Sequence, residues 1–420
     1  MKVLSTNRII YSLSLVVLAV FVSHPTLSGQ TNSCVECHNE LDEELKAPAE
    51  TFKRDIHQQF GLSCADCHGG NPSEEDIDLA KDKTFKGTPS RSLIPEFCSS
   101  CHSDSSYMRR FNPSLRVDQL DLFWTSKHGQ LLKKGDINVA VCTDCHGTHE
   151  IQAATHPKSM TFPWNIPQTC NRCHSDKEYM KNYKIPTNQW ENYKESVHAH
   201  ALFDKKDLSA PVCNDCHGNH GAFPPEVTSI SYVCRQCHPS TGELFSQSPH
   251  KKVYDEMGIS ECEACHGNHK ILPPSDEMLG TGENAVCIQC HEPDSKPYQV
   301  ASRIKGKVDE FKEKIHNVES LLERADRQGV EVSEPKFRLS EATTALVLVR
   351  NLTHNLSLID IEEKIEDGEK VITEVAEAGE AALREAKFRK VWLIIAILFI
   401  FLLAIALYLK IKQIGKKTSA

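Results

Sequence analysis

Four regimes of hydrophobic patterning divide the chain. The first is an unbroken apolar stretch, Ile9 to Val22, preceded by Lys2 and Arg8 and followed by the small and polar run SHPTLSGQ. That order matches the charged, apolar and cleavage regions of a secretory signal, so residues 1–29 are expected to be removed and the mature chain to begin near Gln30. At 14 residues the stretch is short for a membrane span, which makes an uncleaved anchor the weaker reading. In residues 30–294 Gly, Pro, Asn, Asp and Ser interrupt every apolar run, which predicts short helices joined by extensive loops. Residues 295–390 behave differently. Ile304, Val308, Phe311, Ile315, Val318 and Leu322 advance by alternating steps of four and three, and so do Ile365, Gly368, Ile372, Val375, Gly379 and Ala382. Each series is the seam of a packed helix, with RQGVEVSEP around Gly329 to Pro335 as the turn after the first, so a helical hairpin or small bundle is expected. Finally, Val391 to Leu409 is 19 residues without charge, histidine, glycine or proline, long enough to cross the hydrocarbon core as one helix.

Within 30–294 the cysteines and histidines carry the pattern. All 18 cysteines fall into nine C-x-x-C pairs: Cys34/Cys37, Cys64/Cys67, Cys98/Cys101, Cys142/Cys145, Cys170/Cys173, Cys213/Cys216, Cys234/Cys237, Cys262/Cys265 and Cys287/Cys290. Each pair is followed directly by histidine, at His38, His68, His102, His146, His174, His217, His238, His266 and His291, although histidine fills only 21 of 420 positions. C-x-x-C-H is the attachment run of c-type haem. Two thiols one helical turn apart can bond the two vinyl groups of one porphyrin edge, and the next residue swings its imidazole to the iron. Zinc needs four ligands per ion and gives the following histidine no fixed role, and nine pairs do not divide into two-pair sites. A dithiol redox motif expects one pair in a βαβ context, which is absent. The expectation is nine covalently bound haem c groups with those nine histidines as proximal iron ligands. Cys34 to His291 is 258 residues, about 29 per motif, too few to build a conventional core, so porphyrins must supply most of it.

A two-motif unit repeats four times behind the Cys34 motif. Its first half has an upstream histidine in DIH, SKH, SVH or SPH (His57, His128, His198, His250) and then C-x-x-C-H-G, while its second half is barer. In three units a further histidine follows in H-G-x-H: His149, His220 and His269. One histidine leaves a haem iron open to substrate, whereas two saturate it for electron transfer, so the spare histidines decide the function class. His24 lies in the signal region, which leaves eleven distal candidates: the seven repeat-equivalent residues, then His156 and His200, and His316 and His354 in the helical segment. One of the last two reaching back to a haem competes with a solvated helix face, and the segment itself reads equally as a spacer or dimerising stalk. Met108 and Met180, six residues after His102 and His174, are alternative ligands or packing groups.

The nine C-x-x-C-H motifs, the S-x-H elements and the C-H-G-x-H elements over Cys34 to His291 resemble the multihaem c-type cytochromes of anaerobically respiring bacteria, in particular nine-haem or similar members tied to the cytoplasmic membrane. The resemblance implies a mainly α, loop-rich, haem-stacked domain over 30–294. A coiled-coil-like stalk (295–390), a transmembrane helix (391–409) and a basic cytoplasmic tail (410–420) would follow. It implies electron relay in the periplasm between a quinol-oxidising membrane complex and soluble cytochromes or a terminal reductase. Related tetrahaem quinol-oxidising cytochromes are anchored at the N-terminus, unlike this chain, and the C-x-x-C-K variant of many nitrite reductases does not occur. The alternative is a reductase of a small nitrogen or sulfur oxyanion at one five-coordinate haem. No catalytic residue is assigned, and the chain reads as a carrier more than as an enzyme. The tail lysines Lys410, Lys412, Lys416 and Lys417 argue for a cytoplasmic C-terminus; Arg384, Lys387, Arg389 and Lys390 argue against it, and the signal decides. The span has no ionisable group, so it anchors without conducting. A formal net charge of −9 gives a nucleic-acid role no support, and the stalk seams leave a homo-oligomer open.

Overall fold

The computed structural model describes residues 32–225 and 230–417; the expected signal, 1–29, lies outside them. All regular structure among the described residues is helical, mostly in pieces of four to ten residues up to His291 and in three long helices after it. The chain divides into two compact units: residues up to 115 with 141–153, and 116–140 with 154 onwards. The first unit carries the Cys34, Cys64, Cys98 and Cys142 motifs. The second carries the other five motifs together with the long helices, so residues 154–294 and the helical segment belong to one unit.

Few side chains are buried before His291. Leu202, Ala210 and Val212 form a small apolar cluster of that region in the second unit, too little to hold so many short helices by itself. The substantial core is the three-helix bundle formed by Lys296–Asp326, Ser333–Leu352 and Leu358–Lys417. Ser295 caps the first helix by accepting from the Tyr298 N–H, and Gly329 turns the chain towards the second at a φ of +75°. The seams from Ile304 to Leu322 and from Ile365 to Ala382 face each other, with Phe311, Val308 and Ile361 fully buried. Both seams are therefore consumed within the chain. Gly368 lies so close to Phe311 that a Cβ would stand 2.3 Å from the ring.

The third helix runs 60 residues, about 90 Å at 1.5 Å per residue. Its first half completes the bundle; from Val391 to Leu409 its large apolar side chains are all exposed. This helix is long and apolar enough to cross a membrane.

Candidate haem-iron centre

Local sequence places seven of the nine motif histidines on the last turn of a short helix; His238 instead caps the start of Pro239–Ser246, and His291 follows the short turn Val286–Gln289. In CADCH, CTDCH and CNDCH the aspartate accepts a hydrogen bond from the backbone N–H of the residue before the first cysteine: Asp66 from Ser63 at 2.6 Å, Asp144 from Val141 at 2.7 Å, Asp215 from Val212 at 2.8 Å. This is the aspartate half of a capping box. The glycine after the histidine leaves the helix at positive φ, at Gly69, Gly147, Gly218 and Gly267, and a Cβ on Gly69 would meet the Thr84 carbonyl oxygen at 2.1 Å. The H-G signature is therefore a helix terminator. The D-x-H and S-x-H elements are helix N-caps. Asp55, Ser126 and Ser196 are buried at the cap position and accept backbone N–H bonds there, which fixes the histidine two residues on in the first turn; Ser248 is buried at the same position without a side-chain cap bond.

Among the described residues these elements bring imidazoles together in at least seven pairs, each joining one motif histidine to one spare histidine. His57 faces His102 with ring centres 5.9 Å apart, and His68 faces His149 at 6.0 Å, both in the first unit. In the second unit the pairs are His128 with His174 at 6.2 Å, His198 with His238 at 6.5 Å, and His217 with His269 at 5.9 Å. His250 with His291 at 5.8 Å and His266 with His354 at 6.2 Å complete the set. Upstream histidines thus face the second motif of their own unit. His149 and His269, from H-G-x-H, face the first motif of the preceding unit. His149 does so from φ +52°, a backbone region uncommon for a side-chain-bearing residue. For the last unit no following unit exists, and His354 from the helical bundle takes the place.

A backbone strap sets this register. The residue before the upstream histidine donates its N–H to the carbonyl two residues beyond the H-G-x-H histidine: Ile56 to Ile151 at 2.8 Å, Lys127 to Ala222 at 2.9 Å, Val197 to Ile271 at 2.7 Å. In the last unit that residue is Pro249, which has no N–H and no following element to bond.

The geometry fits an iron porphyrin between each pair. An imidazole nitrogen bonds a first-row metal at about 2 Å, so ring centres on opposite sides of one iron stand about 6 Å apart, the separation seen in all seven. Nδ1 of His38, His68, His57 and His354 hydrogen-bonds a carbonyl or carboxylate oxygen at 2.7 to 2.9 Å, which fixes the tautomer that offers Nε2 to a metal. Burial lowers the pKa of His149, His174, His198, His250, His266 and His269, so their rings stay neutral and able to ligate. None of the 18 cysteines is joined in a disulfide, and among the described residues no three acidic, cysteine or histidine groups converge on one ion.

The sulfurs also order the motifs. Cys98 lies within hydrogen-bonding reach of Cys142, Cys170 of Cys213, and Cys234 of Cys262. Cys34 interacts electrostatically with Cys64, and Cys67 with Cys101; Cys216 does so with Cys234 and Cys237, and Cys265 with Cys287 and Cys290. Within each unit these interactions join motifs that are neighbours in sequence, through first cysteines at one junction and second cysteines at the next, with Cys216 to Cys234 and Cys265 to Cys287 as mixed interactions. Cys37, Cys145 and Cys173 follow Cys34, Cys142 and Cys170 by one turn on the helices Ser33–Asn39, Cys142–His146 and Ile166–His174. Cys37 is exposed and the other two are half-buried, and each shares its helix with the first cysteine of its motif, the spacing that one porphyrin edge requires.

Other candidates are placed differently. His156 is exposed and accepts from the Lys158 N–H, His200 is exposed beside Asp204, and His316 is exposed beside Glu319. The faces opposite His102 and His174 are taken by imidazoles, so Met108 and Met180, both buried, are left to pack. His146 closes its helix in the first unit, and His220 follows Cys213–His217 in the second, where burial lowers its pKa. Among the described residues no second imidazole faces His38.

Two protein families match parts of the chain: cytochrome c3 over residues 56–175 and the doubled CXXCH motif over residues 250–296. No curated protein and no solved structure matches it. Nine C-x-x-C-H runs, imidazoles paired at the span of a haem iron and these two matches together make the chain a multihaem c-type cytochrome.

Proposed function

We propose that the chain binds nine haem c groups, one per C-x-x-C-H motif, and relays electrons along them at a membrane surface. The bound haems supply reversible one-electron chemistry. The protein attaches them through the cysteine pairs, saturates the irons with the facing histidines, and holds successive motifs in contact. The single observation that carries this reading is the set of seven imidazole pairs at haem-iron spacing. Saturated irons have no site for substrate, so these haems conduct without bond-making chemistry. The C-terminal helix anchors the chain in the cytoplasmic membrane, with the haem region on the periplasmic side after signal cleavage. In that position it would pass electrons between a quinol-linked membrane complex and soluble cytochromes or a terminal reductase. Haem quantification as the pyridine complex, with paramagnetic resonance of the oxidised protein, tests the reading. About nine haems per chain, nearly all low-spin, are expected; fewer haems or several high-spin signals would overturn it.

A second reading has one observation in its favour. His38 is oriented by its hydrogen bond to the Leu45 carbonyl, yet among the described residues no imidazole faces it. A reductase acting on a small nitrogen or sulfur oxyanion would have its open iron there. Carbon monoxide binding to the reduced protein decides: uptake that His38→Ala alters supports an open first haem, and no uptake removes the enzyme reading.

A further inference from the structure

We propose that Asp276, with Arg350 and Lys312, is a positioning group that holds His354 opposite His266 and so ties the helical bundle to the ligation of the eighth haem. The inference rests on the bis-histidine reading above. In the earlier units the histidine facing a first-half motif is placed by the backbone strap, as at Ile56 to Ile151 and Val197 to Ile271. Pro249 cannot make that bond, and His354 arrives from a different element, the short turn Thr353–Asn355 between the second and third bundle helices. Something else must fix the bundle against the last unit.

Asp276 is built for that task. It lies in the loop between the Cys262 and Cys287 motifs, with its side chain only 8% exposed. Its carboxylate accepts from Arg350 Nε and Nη2, both at 2.7 Å, and from Lys312 Nζ at 2.9 Å. Arg350 belongs to the second bundle helix and Lys312 to the first, so one carboxylate grips two helices. The paired fork of Arg350 defines direction as well as distance. Arg350 precedes His354 by about one helical turn, so a shift of the guanidinium carries the imidazole with it. A second tie, Thr241 Oγ1 to Asn351 Oδ1 at 2.8 Å, joins the helix after the Cys234 motif to the same turn. Nδ1 of His354 hydrogen-bonds the Asn351 carbonyl at 2.9 Å, so the ring is oriented by the residue that tie holds. Arg350 and Lys312 keep the Asp276 carboxylate ionised, with its pKa held down to about 2.

The test uses the full-length holoprotein. His354→Ala should turn one haem high-spin, with carbon monoxide uptake on reduction rising by about one haem per chain, and added imidazole should reverse it. Asp276→Ala and Arg350→Gln should give the same high-spin signal as a partial population and shift the potential of one haem. The exchanged pair Asp276→Arg with Arg350→Asp should restore the low-spin state at least in part. If His354→Ala leaves every haem low-spin, the pairing of His354 with His266 fails and takes the latch with it. If His354→Ala is high-spin while Asp276→Ala keeps wild-type helix content and stays fully low-spin, the pairing stands and the latch is overturned. Loss of thermal stability in Asp276→Ala without any spin change likewise overturns it, since a merely structural ion pair would do that.

Discussion

His269 stands 5.9 Å from His217, not against His266 three residues before it, and the cause is local geometry. Gly267 at φ +72° turns the chain away from the helix that ends in His266, so the H-G-x-H imidazole points to the neighbouring motif. His269→Ala should therefore produce a high-spin signal at the haem held by Cys213 and Cys216, leaving the haem on its own motif low-spin. Spin-state counting combined with Cys213→Ala identifies which haem responds; a signal from the Cys262 haem would refute the assignment. A second residue-scale prediction concerns ring orientation. His57 and His102 are crossed at 76° and His128 and His174 at 60°, whereas the other five pairs lie within 14 to 27° of parallel. Crossed imidazoles interact with two different iron d orbitals and leave them closer in energy, which increases g anisotropy. Two low-spin signals of large anisotropy are expected, lost one each in His57→Ala and His128→Ala. Covalent attachment and the recurrence of His57, His128, His149, His198, His250 and His269 were legible in sequence because spacing alone encodes them. Their destinations were not, because a facing pair such as His57 and His102 is a long-range contact whose register is set by backbone bonds. His354 recurs nowhere, and only its place beside an apolar helix seam marked it, with His316, as a candidate.

The S-x-H element reads in sequence as a ligand motif, and in the structure it is first a capped helix end that starts a strap. Equivalent straps differ in charge. Arg54 pairs with Glu150 in one, and Glu195 with Lys270 in another, at the same register with the signs exchanged. Each pair is exposed and screened by water and salt, so it contributes little stability, but a strap joined to the wrong unit would set Glu195 against Glu150 or Arg54 against Lys270. The sign exchange therefore specifies order at small energetic cost. In the bundle the heptad seams were legible down to single residues, since a local period encodes them. The meeting of Gly368 with Phe311 was not, since it depends on how the helices cross. Gly368→Ala gains about 1 kcal/mol of helix propensity but drives a Cβ to 2.3 Å from a fully buried ring, and overpacking costs about 1–3 kcal/mol. The melting temperature should fall; a rise would mean that Phe311 can repack. Asp276 adds a pH dependence of definite sign. Its pKa is depressed from the ordinary value near 4 to about 2, chiefly by the hydrogen bond from Arg350, then by that from Lys312. The stabilisation, about 2 kcal/mol at most, is present in full above pH ~4 and is lost as pH falls through ~2. The stability gap between wild type and Asp276→Asn, measured by thermal melts of the helical signal, should be largest near neutral pH and close on acidification.

On the largest scale that the sulfur interactions span, the second unit, they follow the order of the motifs. In the second unit Cys170 lies within hydrogen-bonding reach of Cys213 and Cys234 of Cys262, while Cys216 interacts electrostatically with Cys234 and Cys237, and Cys265 with Cys287 and Cys290. Each link joins consecutive motifs, and no link among those residues skips one. A linear order has a consequence that a compact cluster lacks: removing one inner haem interrupts the path. Cys234→Ala with Cys237→Ala should leave the Cys170, Cys213, Cys262 and Cys287 haems attached and separate the first two from the last two by the width of a porphyrin. The protein with its remaining haems should keep their spectra, because their paired histidines, His128 with His174, His217 with His269, His250 with His291 and His266 with His354, are untouched. Electron exchange between the two halves, followed after rapid partial reduction, should slow by orders of magnitude, since tunnelling falls exponentially with distance. Exchange as fast as in the wild type would place the Cys213 and Cys262 haems in direct contact and replace the line with a branched cluster. The direction of flow along the line is then set by the potentials of its ends. The Cys287 end adjoins the bundle whose third helix continues into the apolar span.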